Sequence, residues 1–123
     1  MAEHIETPTQ APTEIRVSKD RKLLTIQFGG GQRYELEAEL LRVYSPSAEV
    51  QGHSPEQKVL VSGKREVQIT KIEPVGNYAI RIEFDDMHNT GIFSWRFLSE
   101  TGKSKAQKWR EYEDELAAAG KSR

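Results

Sequence analysis

The sequence has 123 residues, suited to one domain, with 18 Lys+Arg against 19 Asp+Glu and a formal net charge of −1. That balance supplies no overall basic field to attract nucleic acid or an anionic membrane. The absence of cysteine excludes disulfides, thiolate-held iron–sulfur clusters and a cysteine nucleophile, and it fits a reducing, cytoplasmic setting.

In chain order, Met1 to Thr13 is rich in Thr and Pro and poor in large apolar groups. It reads as a disordered leader, taken as residues 1–14 and containing His4. It lacks the basic-then-apolar order of a signal peptide, and no later apolar run approaches the ~20 residues that cross a bilayer. Ile15 and Val17 alternate with polar neighbours, Ser18-Lys19-Asp20-Arg21 signals a turn, and Leu24, Ile26 and Phe28 alternate again. This predicts a β-hairpin. Gly29-Gly30-Gly31 breaks it, and a short strand resumes at Gln32 to Glu35. Leu36, Leu40, Val43 and Tyr44 fall at helical spacing, so a short helix is expected from about Glu37 to Tyr44, ended by Pro46. Ser45 to Lys58 is expected to be loop.

Val67 to Ile72 is rich in β-formers, and Pro74-Val75-Gly76-Asn77 reads as a turn. Tyr78, Ile80, Ile82 and Phe84 alternate with Ala79, Arg81 and Glu83, the clearest strand in the chain, with one face buried and one solvated. Asp85 to Gly91 turns the chain, and Ile92-Phe93 begins another strand. Ser94 is placed to cap a short helix carrying Trp95 and Leu98, with Gly102 as its stop. Ser104 and Gln107 have capping-box spacing, and Ala106, Trp109, Tyr112 and Leu116 share a face of a last helix that Gly120 ends. The fold class is α+β: mostly antiparallel strands, a short helix before the polar loop, and a C-terminal helix. A domain is expected over 15–102, with helix and tail over 103–123.

Several catalytic signatures are absent. Gly63-Lys64 has Lys58 where a phosphate-binding loop needs glycine, and Arg65 where it needs Ser or Thr. Gly29-Gly30-Gly31 leads towards a strand, so a turn explains it better than a dinucleotide site. There is no Gly-x-Ser-x-Gly elbow and no His-Glu-x-x-His helix. Asp85 and Asp86 are neighbours and point to opposite faces of extended chain, so a solvated turn is favoured over a shared catalytic role. His53 and His88 lie in loops. Together with Glu49 or Asp86 they would hold a divalent metal only if their side chains converge, and plain loop residues are the favoured reading.

Particular stretches resemble the N-terminal domain of gamma-butyrobetaine hydroxylase, in the form found as small free-standing bacterial proteins (the DUF971 group). They are Leu41-Arg42-Val43-Tyr44-Ser45-Pro46-Ser47-Ala48-Glu49-Val50 with Gly52-His53, Gly63-Lys64-Arg65, Ile72-Glu73-Pro74-Val75-Gly76-Asn77-Tyr78, Phe84-Asp85-Asp86 with His88, Thr90-Gly91-Ile92 and Ser94-Trp95. In the hydroxylase this domain carries a structural zinc on three cysteines and one histidine. The resemblance places Ser45, Ser47 and Val50 at the cysteine positions and His88 at the histidine. Hydroxyls are poor zinc ligands and valine is none, so a degenerate site with no metal and no cofactor is implied. The iron and 2-oxoglutarate chemistry belongs to a separate, larger domain that does not fit in 123 residues with this one, so no enzymatic activity is carried over. The domain also occurs fused to P-loop ATPases that carry iron–sulfur clusters, which implies an accessory or docking role in cluster delivery.

Three functional readings follow. The first is a non-catalytic interaction module with a protein partner, through Arg42, Ser45, Ser47, Glu49, His53, Lys64 and Arg65 around the family loop. Against it, Arg42 and Glu49 would simply pair, and Ser45 and Ser47 would satisfy local backbone. The second is a metal- or small-ligand-binding domain using His53 and His88. The third is nucleic-acid binding by Lys103, Lys105, Lys108 and Arg110 around Trp109. Glu111, Glu113, Asp114 and Glu115 cancel that charge, and Trp109 shares the apolar stripe, so a packing helix is the favoured reading there.

Overall fold

A computed structural model describes residues 10–123, and the part of the expected leader that lies in 1–9 falls outside the described residues. Glu14–Val17 (β1), Leu23–Gln27 (β2) and Arg33–Glu37 (β3) form one antiparallel sheet in the order β1-β2-β3. Ile69–Val75 (β4), Ala79–Phe84 (β5) and Gly91–Ser94 (β6) form a second, in the order β4-β5-β6. The helices are Ala38–Val43 (α1), Ala48–Gln51 (α2), Trp95–Lys103 (α3) and Lys105–Ala119 (α4), with a 3-10 turn at Pro55–Gln57. The class is α+β.

The core lies where these elements bury their apolar faces together. Leu24, Ile26, Phe28 and Leu36 of the first sheet region share a cluster with Ile69, Ile80, Ile82, Phe84 and Phe93 of the second. Ala38 and Leu41 of α1 and Trp95 and Leu98 of α3 complete it. Burial of this apolar surface is the main force holding the sheets together. A smaller cluster of Val43, Tyr112 and Leu116, with Tyr44, Leu60, Val61 and Trp109 packed on it, fixes α4 across α1.

Several elements differ from the sequence-based expectation. The loop 45–58 contains α2 and the 3-10 turn, because the Ser47 side chain accepts the Glu49 N–H and caps a helical turn. Pro74 lies inside β4, paired with Ile80, and does not start a turn. β4 is an edge strand, where a residue lacking an N–H is tolerated. Tyr78 stands in the preceding turn and is exposed.

Ser94 caps α3 as expected, accepting the Phe97 N–H. Gly102, expected to stop that helix, lies within it. A Cβ there would sit 2.4 Å from the Tyr34 ring, so the position requires glycine for close packing. Ser104 makes no capping box; its hydroxyl donates back to the Glu100 carbonyl at 2.8 Å. On α4, Tyr112 and Leu116 are buried and Trp109 half-buried, but Ala106 is exposed. Gly120 caps α4 in the left-handed conformation.

Candidate functional site

Two loops meet beside this core. One is the α1–α2 segment from Arg42 to Gln51. The other is the β5–β6 turn from Asp85 to Thr90. β5 ends at Phe84, whose N–H bonds the His88 carbonyl at 3.0 Å, and Met87 donates to the Phe84 carbonyl at 3.2 Å. This tight turn holds Met87 at a φ of 75°, a sparsely populated region for a side chain of its size, and leaves it 87% exposed. The same turn aims Asp86 and His88 at the facing loop.

His88 is 4% exposed and both ring nitrogens are engaged. Nε2 lies 2.9 Å from Ser45 Oγ and Nδ1 lies 3.0 Å from Glu49 Oε1. Ser45 Oγ already accepts the Ser47 N–H at 3.3 Å, so its own proton is available to Nε2. Nδ1–H then donates to the Glu49 carboxylate. The pattern satisfies every group with a neutral imidazole. Burial, then the Arg42 charge, push the His88 pKa below its ordinary 6.5, against the opposing pull of Glu49 and Asp86.

The surrounding groups fix the loop. Ser47 Oγ shares a 2.6 Å hydrogen bond with Thr90 Oγ1, and Gln51 Nε2 donates to the Ser45 carbonyl at 2.9 Å. Val50 packs in the buried interior. Gly91 is required here by contact, since a Cβ would lie 2.5 Å from Ser45 Oγ.

Asp86 forms a second centre. Its Oδ2 accepts from Arg42 Nε at 2.7 Å and from Lys64 Nζ at 2.6 Å, and its Oδ1 accepts the His88 N–H at 3.2 Å. Burial works against ionisation of this carboxyl. The hydrogen bonds from Lys64, Arg42 and the His88 backbone outweigh it and hold the pKa down at about 2. Arg42 Nη1 is buried without a partner.

The structure thus brings together Arg42, Ser45, Ser47, Glu49, Lys64 and His88, with different pairings from those expected. Arg42 pairs with Asp86, and Glu49 pairs with His88. Asp86 is no solvated turn residue; only its neighbour Asp85 is exposed, accepting the Gln68 N–H at 3.0 Å. Arg65 is exposed beside this site, and His53 is exposed in the loop, where its N–H donates to Gln57 Oε1 at 2.8 Å. Asp86, expected only as a possible metal ligand, joins Arg42 across 44 residues, and Thr90 joins Ser47 across 43, pairings that no local pattern marks. Gln51, not expected at the site, joins the nearby Ser45.

The residues at the position where the family resemblance implies a metal do not fit a zinc ion. Ser45 and Ser47 offer neutral hydroxyls, Val50 is apolar, and His88 has no nitrogen to spare. Among the described residues no three His, Asp or Glu side chains gather as a metal site requires. Ser45, His88 and Glu49 do have the connectivity of a Ser–His–acid relay. Ser45 is 0% exposed, however, so no substrate reaches its oxygen. Of the basic cluster, Lys103 ends α3 and Arg110 is exposed on α4, while two members are turned to internal use. Lys105 donates to the Glu35 carbonyl at 2.6 Å, Lys108 lies 4.8 Å from the Tyr44 ring centroid, and Trp109 packs against Tyr112.

A family model described as gamma-butyrobetaine hydroxylase-like, N-terminal, matches residues 15–99. Two solution NMR structures, each described only as that of a protein, are similar to this chain. One is 47% identical over 94% of this chain and 91% of its own, with a TM-score of 0.80. The other is 42% identical over 99% of this chain and 91% of its own, with a TM-score of 0.81. A crystal structure from Acidithiobacillus ferrooxidans ATCC 23270, of a DUF971-family protein of unknown function, is 34% identical over 77% of this chain and 96% of its own, with a TM-score of 0.62. No curated protein matches.

Proposed function

The chain belongs to the gamma-butyrobetaine hydroxylase-like N-terminal domain family, and from that premise we propose that it is a non-catalytic accessory module that binds a protein partner through the surface around the family loop. One observation carries this reading. The chemically capable groups, Ser45 and His88, are buried and mutually satisfied, while Glu49, His53, Arg65 and Met87 stand exposed around them on a rigid frame. A closed interior with specific residues at its rim suits recognition better than turnover. The iron–sulfur cluster carrier ATPases are the partner class we propose, on the family resemblance alone, with a cytoplasmic setting to match the cysteine-free sequence. Among the described residues no helix is long and apolar enough to cross a membrane.

The alternative, metal or small-ligand binding by His53 and His88, finds less support. His88 would have to release Glu49 or Ser45 to act as a ligand. A metal-titrated NMR spectrum tests it, with a shift at either histidine as the supporting result.

Crosslinking mass spectrometry from native cells would identify a partner and the face it touches. With that partner purified, Arg65→Glu and Met87→Asp should weaken binding about tenfold or more, as expected for interface residues, without lowering thermal stability. Unchanged binding by both variants, or crosslinks confined to the exposed residues Tyr78 and Ile92, would overturn the assignment.

A further inference from the structure

A second buried carboxylate lies outside this network. Glu39, on α1, is 5% exposed, and its partner comes from beyond α4. Arg123 Nε lies 3.0 Å from Glu39 Oε2 and 3.3 Å from Oε1, and Arg123 Nη2 lies 2.7 Å from Oε1. This is the forked approach of a planar guanidinium to a carboxylate. The guanidinium carbon also lies 5.0 Å from the Trp109 ring centroid, within cation–π range. Trp109 is itself held, its Nε1 donating to Glu37 Oε1 at 3.3 Å. Beside it the Tyr112 hydroxyl donates to the Val61 carbonyl at 2.7 Å, so it does not compete for Glu39.

The two sides of this contact are unequally anchored. Glu39 and Trp109 belong to helices packed on one another through Val43, Tyr112 and Leu116. Arg123 arrives on a short segment after Gly120, held in place by the Ser122 carbonyl accepting the Gly63 N–H at 3.1 Å. Of the three groups in contact, Arg123 alone lies outside a helix.

We propose that Glu39 and Trp109 form a guanidinium-binding site, held in cis by Arg123 and open to an arginine side chain from another molecule when Arg123 withdraws. A lysine carries the charge but not the fork, so the pocket discriminates between the two cations. The site uses none of the residues of the proposed partner surface and stands or falls independently of it.

The test uses the full chain with Arg123→Ala and follows the Trp109 indole N–H by NMR. N-acetyl-arginine amide should shift that resonance saturably and raise the variant's Tm. N-acetyl-lysine amide should act at least about tenfold more weakly, because its single donor group cannot span both oxygens. The unmodified chain should also respond more weakly, since Arg123 competes. The peptide Gly-Lys-Ser-Arg, added in trans, separates sources: tighter binding than the amide points to a polypeptide arginine, and equal binding to a small guanidinium compound. Should the alanine variant fail to fold, Arg123→Lys keeps the charge and vacates the fork, and the same titration applies. No saturable shift, or an equal response to the lysine amide, would overturn the proposal.

Discussion

Replacing Asp86 by Asn tests the electrostatic centre of the site directly. The substitution keeps the size but removes the charge shared by Arg42 and Lys64, and it turns one of the two accepting oxygens into a donor amide. A carboxyl whose pKa falls from 3.8 to about 2 on folding contributes about 2.4 kcal/mol to stability at neutral pH, at ~1.36 kcal/mol for each pH unit. Water reaches the outer edge of the cluster, where the Asp86 side chain is 17% exposed, so about 2 kcal/mol is the expected loss in the variant. Arg42 would then be left with a neutral partner at a site where its own side chain is 12% exposed, which adds to the loss. For a domain of this size the Tm should fall by roughly 10 °C.

The pH dependence carries the sign. A depressed carboxyl pKa stabilises above the unfolded value of 3.8, and that contribution is lost as pH falls through about 2. Urea unfolding at pH 7 should therefore show the full gap between parent and variant, and by pH 2 the gap should nearly close. Asp85→Asn serves as the control, since its Oδ1 accepts a backbone N–H in an exposed position and the amide can still do so. Equal stability of parent and Asp86→Asn at pH 7, or a gap that persists undiminished at pH 2, would refute the reasoning.

Ser99→Ala should raise stability by about 1 kcal/mol in urea unfolding, because the Ser99 hydroxyl is buried without a partner and alanine favours the helix. Gly102→Ala should do the opposite despite the same helical preference, losing about 1–3 kcal/mol, since its Cβ meets the Tyr34 ring. His88 should remain neutral at pH 7, with its ring NMR signals titrating below 6.5. The unfolded chain takes up that proton first, so stability should decline as pH drops below 6.5, and His88→Gln should lessen the decline. Elemental analysis should find no stoichiometric zinc, and one zinc per chain would contradict the account of Ser45, Ser47 and Val50.

Elements set by local pattern were legible in the sequence. The β5 alternation from Ile80 to Phe84, the body of α1 and the Ser94 cap are each decided within a few residues and stand where the pattern puts them, whereas Tyr78 falls in the turn before β5 and Leu36 in β3. Pro74 and Gly102 misled because each was read by its backbone preference, while the deciding facts were an edge position and an aromatic ring from another strand. The frame of the site was legible only through the family resemblance, and its pairings were not. Arg42 and Asp86 are 44 residues apart, and Glu39 and Arg123 are 84 apart. Charge at that separation leaves no periodic trace. The adjacency of Asp85 and Asp86 did predict divergent directions, as found, but not which of the two would be buried.

The loop's energetics also bear on the proposed binding role. Structural zinc contributes ~10–16 kcal/mol in zinc-finger peptides. The hydrogen bonds that close this loop, linking Ser45 to His88, His88 to Glu49, Ser47 to Thr90 and to the Glu49 N–H, and Gln51 to Ser45, contribute ~1 kcal/mol net each. Together, at ~5 kcal/mol, they fall short of what a structural zinc contributes, so the apolar core and the Asp86 ion pairs must carry the frame. The network is also uneven. Its inner half, Ser45 with His88, is buried, whereas Glu49 leaves 60% of its side chain in water. A partner cation can therefore take the Glu49 carboxylate without opening the core, and His88 would then lose one acceptor while keeping Ser45. On the interaction reading, this makes Glu49 the residue through which binding is felt inside the domain.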